Sequence, residues 1–172
     1  MERNRKKAQK ARFRVVLDTS VLIAALMSSQ GYAFEVIEKV LTGQITNYYS
    51  RKTLQEYKIV VAYPKIIKKI PVEVAILRVS AVISSSKLIS IKKSFQKSKR
   101  IKELVKDEKD IPFLDVVYNA KAEFLITYDR KHLLKIRDKA RKFKLNSHEF
   151  YILTPKEFIK EFYEANKKKK KL

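Results

Sequence analysis

The chain has 172 residues, with 40 Lys and Arg against 18 Asp and Glu, for a formal net charge of +22. Zero Cys excludes disulfides, thiolate catalysis and Cys-ligated zinc or iron–sulfur centres, and only two Gly exclude the Gly-rich dinucleotide fingerprint and the phosphate loop. So large a charge points to a polyanionic partner, nucleic acid first and an anionic membrane surface or acidic protein second. No apolar run approaches the ~20 residues of a membrane span. The basic N-terminus lacks the apolar segment of a signal peptide, so a cytoplasmic protein is expected.

Residues 1–12 read as a basic flexible arm and 166–172 as a lysine-rich tail, flanking one domain over 13–165. The run 13–17 is short, apolar and β-branched, which predicts a buried parallel strand ending at Asp18. Thr19 or Ser20 then caps a helix over 21–28. A second helix over 32–41 ends at Gly43, and 45–49 is the next strand. Ser50 caps a helix through residue 61, closed by Tyr63-Pro64. A helical stripe follows over 72–84. The segment 84–110 reads as a basic loop with short strands at 88–91 and 101–105. Pro112 opens a helix over 112–122, and 124–127 is a strand. Residues 132–143 read as a very basic helix and 151–153 as a last strand. Thr154-Pro155-Lys156-Glu157 forms a capping box for a C-terminal helix. Strands alternating with helices imply an α/β fold around a mostly parallel sheet.

In such folds functional groups gather at the carboxyl ends of the strands. Asp18 directly follows the first strand, Asp129 follows the strand at 124–127, and Asp107 or Asp110 follows the candidate strand at 101–105. Glu56 lies two turns into the helix after the strand at 45–49. Any one of these Asp residues is explained by helix capping. Several at neighbouring strand ends repel unless a divalent cation neutralises them, and oxygen ligands select Mg²⁺ or Mn²⁺.

The stretch Arg14-Val-Val-Leu-Asp18-Thr19-Ser20 resembles the opening motif of the PIN-domain nucleases. Leu54-Gln-Glu56-Tyr57, Asp110-Ile-Pro-Phe-Leu-Asp115 and Leu125-Ile-Thr127-Tyr-Asp129 resemble that family's later blocks, in family order. The resemblance implies a PIN-like three-layer α/β/α fold and a metal-dependent ribonuclease, closest to the toxin (VapC-like) components of toxin–antitoxin pairs. By the same resemblance Asp18, Asp110 and Asp129 hold Mg²⁺ or Mn²⁺, and Glu56 binds metal or positions water. Thr19, Ser20 and Thr127 support them. Asp110 is the first choice for the third acid and Asp115, one helical turn on, the second. Asp107 reads as solvated loop. His132, at a position often acidic in relatives, reads as a surface or capping residue.

The implied partners are RNA, an antitoxin protein and a second copy of the chain in a homodimer. Two other readings stand beside this one: a housekeeping RNA-processing nuclease of the same fold, and a basic RNA-binding protein with a vestigial site. On the expected helix, Lys131, Lys135, Lys139 and Lys142 share a face at spacings of four, four and three, and form a candidate RNA-binding track. Tyr128, beside Asp129, is a candidate for stacking on a base.

Overall fold

Val15, Val16 and Leu17 are each no more than 1% exposed. Successive strand residues point to opposite faces, so burial of all three requires cover on both sides of the sheet. These residues close β1 (Phe13–Leu17), which lies inside the sheet. The computed structural model describes residues 12–171. The expected arm therefore lies outside the described residues apart from Arg12.

The other strands are β2 (Ile45–Tyr49), β3 (Lys87–Leu88), β4 (Phe124–Ile126), β5 (Lys142–Leu145) and β6 (His148–Leu153). Together they form one six-stranded sheet in the order β3-β2-β1-β4-β6-β5. All neighbours run parallel except β5 against β6. The protein is thus an α/β fold on a mostly parallel sheet. Its carboxyl edge, where β1 and β4 end side by side, is the natural place for a site.

The helices follow the apolar spacing. α1 (Thr19–Met27) is capped by Asp18, and α2 (Tyr32–Leu41) ends at Gly43, whose φ of 70° is the left-handed turn that glycine accepts freely. α3 (Arg51–Ile59) starts with a capping box of Ser50 and Thr53. Its buried Tyr57 donates a hydrogen bond to the carbonyl oxygen of Leu17, pinning α3 over the end of β1. α4 (Pro64–Ile67) and α5 (Val72–Ser84) follow, then α6 (Lys99–Leu104) and α7 (Ile111–Ala120). The expected Thr154–Glu157 capping box is present and opens α8 (Pro155–Glu157), which runs on through a π-helical turn into α9 (Glu164–Lys169). Lys167, Lys168 and Lys169 close this helix, at the end where the helix dipole favours cations. Among the described residues no single helix is long and apolar enough to cross a membrane.

Three expectations are corrected. The basic helix over 132–143 does not exist: residues 130–141 are turns and bends, and 142–145 form β5. Phe143 and Leu145 are buried while Lys144 is exposed, the alternation of a strand. Asp138 closes the turn by accepting from the Lys142 amide at 2.9 Å, with Arg141 at a φ of 65°. The strand expected at 101–105 is instead the helix α6. Its buried residues, Ile101 and Val105, are four apart, and Ser98 caps it. The strand expected at 88–91 is reduced to the two residues of β3.

The segment between α5 and α7 is strapped to α7 by polar side chains. Both oxygens of Asp115, 2% exposed, are used: Phe95 donates its amide at 2.7 Å and Ser94 its hydroxyl at 2.8 Å. Asn119 accepts the amides of Lys92 and Lys93 and donates to the Lys93 carbonyl at 2.7 Å. Asp115→Ala leaves a buried amide without its acceptor, so stability is expected to fall by about 1–3 kcal/mol. Urea unfolding measures this, and an unchanged midpoint would show that the strap is dispensable.

Candidate active site

β1 and β4 are hydrogen-bonded neighbours, and the Asp18 amide extends the ladder by donating to the Ile126 carbonyl at 3.0 Å. The two strands therefore end at one place. Thr127, fully buried after β4, uses its hydroxyl both ways: it donates to Asp18 Oδ2 at 2.8 Å and accepts the Asp129 amide at 2.9 Å. Ser20 does similar work, donating to Asp18 Oδ2 at 2.6 Å and accepting the Tyr128 amide at 3.0 Å. The supporting roles expected of Ser20 and Thr127 correspond to these bonds. The buried Thr19 hydroxyl has no hydrogen-bond partner among the described residues.

Asp110 arrives from the entrance of α7, after a 3-10 turn (Glu108–Asp110) capped by Asp107. It is 9% exposed, and its Oδ2 is buried without a hydrogen-bond partner among the described residues. Burial pushes the Asp110 carboxyl up to about 8, reinforced by the charges of Asp18, Asp129 and Asp107. The Asp18 carboxyl is also raised, first by burial and last by the Asp129 charge, against the hydroxyls that favour its ionised form.

Asp18, Asp110 and Asp129 thus converge from two strand ends and a helix entrance. Asp115 is spent on the strap described above. Glu56 is half-buried on α3, beside the Tyr57 that touches β1, and no hydrogen bond or ion pair joins it to the three aspartates among the described residues.

Two residues that motif reasoning passed over belong here. His132 Nδ1 lies 3.2 Å from Asp129 Oδ2 and 3.5 Å from Asp110 Oδ2. Asp107 joins Asp110 and His132 in a group whose potential ligand atoms all lie within 4.8 Å of one another. The signal was spacing: His132 follows Asp129 by three residues, and Asp107 precedes Asp110 by three. Among the described residues no Lys or Arg pairs with Asp18, Asp110 or Asp129, in a chain of net charge +22. A carboxylate-rich pocket with a buried unsatisfied oxygen fits a divalent cation held mainly by oxygen ligands.

A groove of about 550 Å³ opens nearby along the carboxyl edge of β2 and β3. Arg51 and Lys52, in the first turn of α3, line it with Leu88, Ile89, Ile91 and Pro112. Leu88 is 56% exposed there. Of the four lysines expected on one helical face, Lys131 stays beside Asp129, whose Oδ1 accepts its amide at 3.0 Å. Lys135 and Lys139 are exposed on the turns, and Lys142 pairs with Glu149 at 3.4 Å. They share no helix.

The raised Asp110 value has a thermodynamic sign. The folded chain keeps this proton up to about pH 8, whereas the unfolded chain releases it near 3.8. The stability this group contributes is full below the unfolded value and is lost as pH rises through the folded one. In metal-free protein the melting temperature of Asp110→Asn should therefore gain on wild type as pH rises from about 4 to about 8. Added Mg²⁺ should raise the wild-type melting temperature more at pH 8 than at pH 5. A pH-independent difference between the two proteins would contradict the burial argument.

The chain is 34% identical over 157 residues to an uncharacterized protein of Methanocaldococcus jannaschii, covering 91% of this chain and 96% of that protein. Among solved structures it resembles VapBC2 from Rickettsia felis bound to a DNA fragment from their promoter, at 16% identity and a TM-score of 0.48, over 69% of this chain and 90% of that one. The PIN domain family matches residues 14–131, a span that contains Asp18, Glu56, Asp110 and Asp129. With more than half its length matched, and its aspartates gathered where β1 and β4 end, this chain belongs to the PIN-domain family of nucleases.

Proposed function

We propose that the protein is a Mg²⁺- or Mn²⁺-dependent ribonuclease that hydrolyses RNA phosphodiester bonds at the Asp18–Asp110–Asp129 cluster. The observation that carries this reading is the isolation of the cluster. In a chain with so many cations, no Lys or Arg among the described residues pairs with these converging carboxylates, which favours a site kept for a metal ion. Asp18, Asp110 and Asp129 would hold the ion. When bound, it lowers the pKa of a water and offsets charge on the scissile phosphate and the leaving oxygen.

The chain's own groups do the rest. Thr127 and Ser20 orient the Asp18 carboxylate, and the Thr127 hydroxyl ties the Asp129 backbone to it. Glu56 positions the attacking water from α3. Attack at phosphorus leaves a 5′-phosphate and a 3′-hydroxyl and needs no substrate 2′-hydroxyl. RNA as the substrate therefore rests on family likeness, as do the toxin role, the antitoxin partner, the homodimer and the cytoplasmic location.

The groove is the route for the flanking strand. Arg51 and Lys52 contact its phosphates, Leu88 and Ile91 face a base, and Tyr128, 38% exposed, is available to stack on another. Lys131, beside Asp129, contacts the scissile region.

Two tests follow. In a labelled-RNA assay, cleavage should require Mg²⁺ or Mn²⁺ and stop with EDTA. Asp18→Asn should lose more than the about 10–100-fold that outer-shell changes typically cost. The variant should melt at or above the wild-type temperature without metal, because a repelling carboxylate is gone. If Asp18→Asn instead unfolds, the residue is structural and the reading fails. Separately, Arg51→Gln/Lys52→Gln should weaken RNA binding and shallow its log–log salt dependence by about 0.7 per lost single-strand phosphate contact. An unchanged slope would place the strand elsewhere.

A further inference from the structure

The family's motif blocks supply acids, yet a group of potential ligands that the fold gathers among the described residues contains a nitrogen. His132 is held where it is by Asp129, whose Oδ1 accepts the His132 amide at 3.0 Å while Oδ2 faces the imidazole Nδ1 at 3.2 Å. The same Nδ1 lies 3.5 Å from Asp110 Oδ2, the buried oxygen that has no hydrogen-bond partner among the described residues. Asp107 closes the group from the other side. Its Oδ1 accepts the Lys109 amide at 3.0 Å, which fixes the carboxyl at the start of the 3-10 turn. One potential ligand atom from each of Asp107, Asp110 and His132 falls within 4.8 Å of the others.

A capping or surface histidine requires none of this. Capping of the turn is done by the Asp129 carboxylate, so the imidazole is not needed for it. The side chain is 31% exposed, reachable from solvent but turned into the carboxylates.

We infer that Asp107, Asp110 and His132 form a mixed oxygen–nitrogen position within the cluster, which selects Mn²⁺ over Mg²⁺. This rests on the metal-site reading given above. Mg²⁺ is a hard cation that demands oxygen and keeps its waters, whereas Mn²⁺, which also takes carboxylates, is a first-row transition ion and accepts an imidazole nitrogen more readily. One nitrogen among carboxylates therefore adds to Mn²⁺ binding and adds little for Mg²⁺. Asp110 belongs both to this position and to the set of three aspartates, so it stands between them.

Calorimetric titration of the full chain with each metal alone, together with pulsed electron paramagnetic resonance of the Mn²⁺-loaded protein, tests the inference. Wild type should bind Mn²⁺ at least about tenfold more tightly than Mg²⁺ and show a nitrogen hyperfine coupling. His132→Gln should abolish that coupling and weaken Mn²⁺ by about 10–100-fold, the range known for perturbed metal sites, with a smaller effect on Mg²⁺. Asp107→Asn, away from the histidine turn, should also weaken Mn²⁺ more than Mg²⁺. The wild-type spectrum needs no variant to fold. Mn²⁺ binding without nitrogen coupling, or equal loss of both metals in His132→Gln, overturns the inference and leaves the carboxylate site standing. Failure of wild type to bind either metal overturns both.

Discussion

Like charges gathered in a low-dielectric pocket repel, and the fold holds Asp18, Asp110 and Asp129 together by linking the segments that carry them. β1 and β4 are adjacent in the sheet, so their ends must meet, and one hydroxyl, on Thr127, bonds both Asp18 and the backbone of Asp129. The third acid is brought in by α7, which packs on β1, β2 and β4. Each placement is set by apolar packing some distance from the charges. The cost appears as the upward shifts of Asp18 and Asp110, which mark the pocket as one arranged for something positively charged.

The distribution of the basic residues has the same logic. Glu157 is paired with Arg137 and Arg141 at 3.0 Å, and its carboxyl is held below the usual range even against the burial that raises it. Glu149 and Glu164 likewise have lysine partners. Among the described residues Asp110 and Asp129 instead find only His132, itself a potential ligand, and Asp18 has no cationic partner. The groove shows the converse: Arg51 and Lys52 stand exposed at a helix N-terminus, where the backbone amides already favour anions.

Much of this could be read from the residues alone. The buried β1 run, the Asp at its end, the Ser50 cap and the Thr154–Glu157 box are local signals, decided within a few residues, and the fold keeps each of them. Periodicity failed where two patterns coexist. Leu133, Leu134, Ile136 and Phe143 satisfy a helix, but Phe143 and Leu145 also satisfy a strand. The hairpin with β6, turning at Asn146 with φ of 51°, settles it by giving β5 a partner. Ile101 and Val105 have helical spacing that a β-branched reading obscured. The histidine at the site was only partly legible, from its spacing of three after Asp129. Its role depends on Asp110, twenty-two residues earlier in the chain, and only the tertiary structure puts the two side chains side by side.

That dependence also explains why α7 must be held so firmly. Its first turn delivers Asp110 and Pro112, its second delivers Asp115, and the next carries Asn119. The same helix therefore presents an acid to the cluster, lines the groove, and straps down the segment that leads from β3 to α6. A carboxylate at position 115 accomplishes this because both of its oxygens accept from the strap. One turn earlier, Asp110 has an oxygen to spare. Two aspartates on one helix, similar in sequence context, are divided between structure and chemistry by which of them the 92–98 segment reaches. The groove wall and the acid cluster consequently share one element, with Pro112 lining the groove two residues from Asp110.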